Sequence, residues 1–101
     1  MKIVYANNFY LKLKGLMFQK NINYGMYFTN TTKLHTFFMR ENIDIIGLDS
    51  NNIICDIYQN IKPNKIIILK NSIHTLELPA NSKNNYKIGD KINLDIPFIN
   101  S

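Results

Sequence analysis

Cysteine is almost absent from this chain: Cys55 stands alone, so no disulfide can close within one molecule and no thiolate metal cluster can form. A reducing, cytoplasmic setting is the expectation. Asn7 and Asn8 interrupt the apolar stretch near the N-terminus, where a secretion signal needs an unbroken hydrophobic region. Long apolar runs are lacking too. Ile66–Leu69 is among the longest, far short of the roughly 20 residues that span a bilayer, so no membrane segment is read. Arginine is limited to Arg40, and the lysines are scattered singly, which argues against nucleic acid as partner despite a net charge of +5. A lysine-rich composition with many Asn, Ile and Tyr also follows from AT-rich coding without any functional cause. Four glycines form no phosphate-cradling loop, and no Gly-x-Ser-x-Gly elbow is present.

What remains is a chain of 101 residues, 46% hydrophobic and 19% charged, which suits one domain with one core. Val4 and its neighbours open as a short extended segment. Asn8 is placed to cap a short helix carrying Phe9, Leu13, Leu16 and Met17, with Gly15 near its end. From Tyr24 onward the period is two, with β-branched and aromatic residues between turn formers. Strands are expected over Met26–Thr29, Lys33–Met39, Ile43–Asp49, Asn52–Gln59, Lys65–Lys70, Ile73–Leu78 and Lys91–Ile96. Asp49, Ser50, Asn51 and Asn52 supply a hairpin turn, because Asn tolerates positive φ and bonds nearby backbone. Ile92, Leu94 and Ile96 define an inward face on the last strand. The expected fold is mainly β: a compact antiparallel barrel or jelly-roll-like sandwich with one short N-terminal helix, over residues 1–96, followed by a short tail at 97–101.

Five separated words carry a resemblance. Lys12 with Gly15-Leu16-Met17 comes first, then Gly25-Met26 with Phe28. His35-Thr36-Phe37-Phe38-Met39-Arg40 leads into Ile43-Asp44-Ile45-Ile46-Gly47-Leu48-Asp49. Leu76-Glu77-Leu78-Pro79-Ala80 and Gly89-Asp90 follow. In this order, from about Val4 to Ile92, they resemble the DUF192 family, also called UPF0127, of bacteria and archaea. That resemblance implies a compact, mainly β fold of barrel or jelly-roll type with a short helix, and no defined activity. The chain departs from the family pattern with Glu41 and Asn42 after the basic residue, Gly47 at a position usually large and apolar, and Asn81 after Leu-Pro-Ala.

Arg40 offers a planar fork for a carboxylate or phosphate and lies four residues before Asp44. The two are candidates to pair across a tight connection, where the plainer role is to pin the loop. Alternation turns Glu77 away from Leu76 and Leu78, toward solvent or a shallow cleft. With His35 these residues define the candidate binding set: Arg40, Asp44, Glu77 and His35. His35 and His74 invite a two-histidine metal site, but their spacing fits no local motif, and the reading is no metal and no cofactor. Cys55, between Ile54 and Asp56, reads as a small buried apolar residue beside Ile53 and Ile57. Tyr24, Tyr27, Phe28, Phe37 and Phe38 read as core rather than a base-stacking platform.

The leading expectation is a non-catalytic binding or accessory domain for a small polar ligand or a protein partner, with a polar cleft near Arg40, Asp44 and Glu77. The alternative is an enzyme acting on a small polar or anionic substrate, with a carboxylate general base and Arg40 as anion clamp.

Overall fold

The structure, a computed structural model, describes residues 2–6, 15–80, 85–93 and 99–100. Within them run eight strands: β1 (Lys2–Tyr5), β2 (Tyr24–Phe28), β3 (Lys33–His35), β4 (Ile43–Leu48), β5 (Ile54–Ile61), β6 (Ile66–Ile68), β7 (His74–Pro79) and β8 (Ile99–Asn100). Six form one sheet in the order β5-β4-β7-β2-β1-β8, and β3 pairs with β6 in a separate two-stranded sheet.

The large sheet is built on β4, whose six residues are all buried. Its isoleucine-rich run is what a central strand covered on both faces requires. In register with β7, Ile45 lies opposite Glu77 and Ile46 opposite Leu76, so alternation sends successive residues to opposite faces. One face carries Met26, Phe28, Ile43 and Ile45, packed with Leu16, Met39, Leu34 and Leu69; Ile67 of the small sheet leans on the same cluster. The other carries Tyr27, Ile46, Leu48, Ile54, Leu76 and Leu78, and is covered in part by Tyr86 and Ile92.

The mainly β reading holds; of three finer expectations, the closed barrel and the long third strand are corrected, and the helix finds no support among the described residues. First, no closed antiparallel barrel forms: among the described residues the large sheet is open, with β5 and β8 at its edges, and the second layer is a sheet of two strands. Its β1 strand is parallel to both β2 and β8, whereas β7 is antiparallel to β2 and β4. Second, the short N-terminal helix is not seen; Gly15–Phe18 form a turn, and the rest of the expected helix lies outside the described residues. Third, the strand expected over Lys33–Met39 stops at His35. Thr36, fully buried, ends it: its hydroxyl donates to Lys62 O and accepts from the Lys65 N–H, each at 2.8 Å, while its carbonyl receives the Asn64 and Met39 amides.

The β4–β5 hairpin closes through Asp49, whose Oδ1 accepts from the amides of Asn51 (2.8 Å) and Ile53 (3.0 Å), while Asn52 adopts φ 61°. In β5 the buried member is Ile54, and Cys55 is only half-buried; a register shift between Gly47 and Leu48 displaces the expected alternation by one residue. The Gly89–Asp90 turn docks on this hairpin through Ile54 N–H to Asp90 O (2.8 Å) and Gly89 N–H to Ile54 O (2.9 Å). Lys91 forms a single bridge with Ile53, and the remainder of the strand expected there, including Leu94 and Ile96, falls outside the described residues. Ile99 and Asn100, in the stretch read as a tail, pair with Val4 and Tyr5. No helix among the described residues is long and apolar enough to cross a membrane.

Truncation at the centre of this double-faced sheet should be costly. Ile45→Ala, at a fully buried position, should lose about 2–5 kcal/mol in urea unfolding, whereas Ile88→Ala, 63% exposed, should stay within about 0.5 kcal/mol of the parent.

Candidate functional site

Glu77 sits in the middle of β7, flanked by β4 and β2, with its side chain directed to the face that packs against the small sheet. Alternation does turn it away from Leu76 and Leu78, but that second face is covered as well. The residue is 4% exposed, and its Oε1 has no hydrogen-bond partner among the described residues. Burial pushes the carboxyl up to about 8, opposed in part by the backbone N–H of Leu16. At neutral pH the group is therefore mostly a neutral acid, able to donate as well as accept.

Beside it lies a cavity of about 130 Å³, walled by Glu77, Phe28, the Gly15–Met17 turn, Met39, Thr31 and β3. Gly15 is required at its position: φ is +53°, and a Cβ there would stand 3.0 Å from Glu77 Oε1. The turn continues into Phe18, whose N–H donates to Phe38 O at 3.0 Å. Phe18 and Phe38 both hold positive φ, 66° and 62°, and their exposed rings stack at 5.5 Å. Left-handed backbone costs a non-glycine residue about 1–2 kcal/mol, so this clasp ties together the two segments that bring Met17 and Met39 to the cavity under local strain.

The β3 wall has a particular character. Thr36 N–H bonds Lys65 O and Leu69 N–H bonds Thr32 O, which fixes the even-numbered residues of this segment as the ones bonded to the β6 side. The N–H and C=O groups of Lys33 and His35 therefore point away from β6. Lys33, Leu34 and His35 line the cavity and no β6 residue does, so the cavity lies on the side of β3 away from β6, an edge that is unpaired among the described residues.

The other candidates are placed elsewhere. Asp44 lies opposite Leu78, on the face of the sheet away from Glu77, and its Oδ1 accepts the Asn60 N–H at 2.8 Å across the β4–β5 irregularity. Desolvation raises its carboxyl, and that hydrogen bond opposes the rise. Arg40 is exposed, and among the described residues it forms no ion pair with Asp44. His35 reaches the Glu77 cavity with its strand, while its Nδ1 accepts the Phe37 N–H at 3.2 Å, and the two rings stack at 5.1 Å. His74 accepts the Asn30 N–H and packs on Tyr27. Among the described residues no three His, Cys, Asp or Glu side chains are grouped to hold a metal ion. Burial, with Asp49 and Asp56, pushes the Cys55 thiol up, away from nucleophilic character.

A second, larger cavity of about 420 Å³ lies between Asn21, Ile22, Glu41, Asn42, Asn60 and Pro79. Its polar groups are already engaged. Glu41 accepts the amides of Asn21 (2.8 Å) and Ile22 (3.2 Å), which hold its carboxyl below the usual range, and Asn42 Nδ2 donates to Asn60 Oδ1 at 3.0 Å. The Glu77 cavity, with an unsatisfied acid and an open strand edge, is the better candidate. Sequence reasoning missed the contact of Gly15 with Glu77 and the open edge of β3. The signal available was that Gly15-Leu16-Met17, Phe28, His35, Met39 and Glu77 all belong to the words that carry the family resemblance, and these words meet at one cavity.

These features define a small two-layer β domain with a buried acid at the wall of a partly open cavity. The chain belongs to the DUF192 family, described as an uncharacterised ACR, whose model matches residues 1–100. It is 30% identical over 104 residues to a UPF0127 protein of Thermococcus sibiricus, covering 94% of this chain and 67% of that one. It is 36% identical over 96 residues to one of Pyrococcus horikoshii, covering 86% and 82%. A crystal structure of a Novosphingobium aromaticivorans protein of unknown function superposes with a TM-score of 0.70 at 19% identity, covering 78% of this chain and 63% of that one. A Sinorhizobium meliloti protein, named for a suggested role in transcription regulation, gives 0.69 at 23%, covering 77% and 67%. The two structures share the fold, and this chain spans less than two-thirds of the Novosphingobium protein.

The buried acid predicts a pH signature. Folded Glu77 keeps a proton that the unfolded chain releases above about pH 4.5, so stability should fall as pH rises from there to about 8 and level off beyond. The total change should be on the order of a few kcal/mol. Glu77→Gln should flatten that part of a chemical-denaturation pH series; a parent-like slope in the variant would assign it to another group.

Proposed function

We propose that this chain is a non-catalytic binding domain whose ligand enters the Glu77 cavity. The observation that carries the reading is the Glu77 Oε1 atom, buried and without a hydrogen-bond partner among the described residues, at the wall of a cavity of about 130 Å³. An unsatisfied buried polar atom costs about 1–3 kcal/mol, and a bound group that meets it returns that energy. The flanking Leu16, Met17, Phe28 and Met39 supply the apolar lining usual for a ligand pocket with a few placed polar groups. The notion of a single cleft uniting Arg40, Asp44 and Glu77 is thereby narrowed to Glu77 with the His35 strand.

A second reading is favoured by one observation. A carboxyl held near 8 suits general acid–base work at neutral pH, so the same cavity would fit an enzyme that moves a proton to or from a small polar substrate. Binding is preferred because Glu77 is the one carboxylate on the cavity wall among the described residues, and the Thr31 hydroxyl on that wall already donates to Thr29 O.

Small polar fragments, formamide, methylammonium and acetate, titrated into isotopically labelled protein should shift the amide signals of Gly15, Leu16 and Phe28. Glu77→Leu should abolish those shifts. Shifts confined to Asn21, Glu41 and Asn60 would move the site to the larger cavity and contradict the proposal. If a substrate is found, Glu77→Gln that binds it normally without turnover would favour the enzyme.

A further inference from the structure

Residues 33–35 of β3 form part of the cavity wall. Lys33 and His35 each turn an N–H and a C=O away from β6, and none of these groups has a partner among the described residues. Their side chains alternate with Leu34, which is packed in the core, and share the outer face of the small sheet with Ile66 and Ile68, their partners in register. Among the described residues, β3 thus offers an unpaired edge with two donors and two acceptors at strand spacing. Peptide groups complement that pattern, and an extended chain completing a sheet edge is a recurring mode of recognition.

We infer that the cavity receives the amino terminus of an extended polypeptide, whose α-ammonium group meets Glu77 and whose first residue runs along the open edge of β3. The inference rests on the proposed binding role and names its ligand. Volume suits a chain end: a cavity of about 130 Å³ has room for a terminal residue with a small side chain. Charge favours the amino end: an ammonium group supplies the donors that Oε1 lacks and the counter-charge that lets the buried acid ionise, whereas a terminal carboxylate would be met by the single O–H of the neutral acid. Met17 and Met39 give an adaptable apolar lining for a small first side chain. Lys33 and His35 are the other titratable residues on the wall among the described residues, and they approach through their strand.

Binding moves one proton. Glu77 is mostly protonated at pH 7 when the cavity is empty, so pairing with an ammonium group ionises it and releases its proton to the buffer. Calorimetry at pH 7 with alanyl-alanine amide, its N-acetylated form and methylamine tests this in the whole chain. The free-amine peptide should bind at least about tenfold more tightly than either other probe, the loss expected for removing a charged hydrogen bond or the paired edge. Buffers of different ionisation enthalpy should report close to one proton released. Glu77→Gln and Lys33→Pro should each lose about tenfold or more, the latter because proline removes the N–H at the edge facing the cavity. Thermal melting of Lys33→Pro near the parent value keeps that comparison valid, and the Glu77→Gln arm stands without it. Equal binding of the acetylated peptide would overturn the inference. So would methylamine binding as tightly as the peptide, or a dipeptide amide that fails to bind while small fragments still shift Gly15, and both leave the cavity's binding role standing. A Lys12→Ala variant in which the Glu77 titration midpoint rises by a pH unit or more would show that the chain supplies its own amine, and would overturn the external peptide.

Discussion

The structure depends on one constraint: its six-stranded sheet is covered on both faces, so β7, flanked by β4 and β2, has no wet side. Period-two alternation then forces a choice at Glu77. Turning away from Leu76 and Leu78 does not bring its carboxyl to water; it brings it under the layer formed by β3, β6 and the Gly15–Met17 turn. Burial makes the ionised form expensive, and the group answers by holding its proton. The cavity chemistry follows from that placement.

The strands were legible because their apolar residues are β-branched and alternate, as in Ile43, Ile45 and Ile46, and because the Asp49–Asn52 turn carries its own geometry in its side chains. Alternation also gave the direction of Glu77 correctly. Closure of the sheet was not legible, since whether strands such as β1 and β2 pair in parallel depends on the path of the connecting chain and not on either strand. The truncation of β3 was hidden for a related reason: Thr36 looks like any strand threonine until Lys62 and Lys65 arrive to bond it. The burial of Ile54 rather than Cys55 came from a one-residue irregularity that hydrophobic pattern cannot locate.

Two of the departures from the family pattern, Glu41 and Gly47, have local explanations, and Asn81 lies outside the described residues. Glu41 takes two backbone amides, of Asn21 and Ile22, and so ties the approach to β2 to the segment before β4. Gly47 leaves space for the Ser72 side chain, whose hydroxyl donates to Asp56 at 2.5 Å, while Asn71 donates to the same carboxylate. A large apolar side chain would displace that hydrogen-bonded turn. Neither change touches the cavity beside Glu77. Its walls are set instead by Gly15, which admits close approach to the acid, and by the Phe18–Phe38 clasp, which holds two strained backbone positions together.

The most direct test is carbon-detected NMR titration of the Glu77 side-chain carboxyl in the intact protein. A midpoint near 8 is the outcome that follows from a sealed acid between two covered faces. A midpoint near 4.5, the value of a solvated glutamate, would mean that water or a strong partner reaches the group, and the description of the cavity as holding an unsatisfied neutral acid would fail.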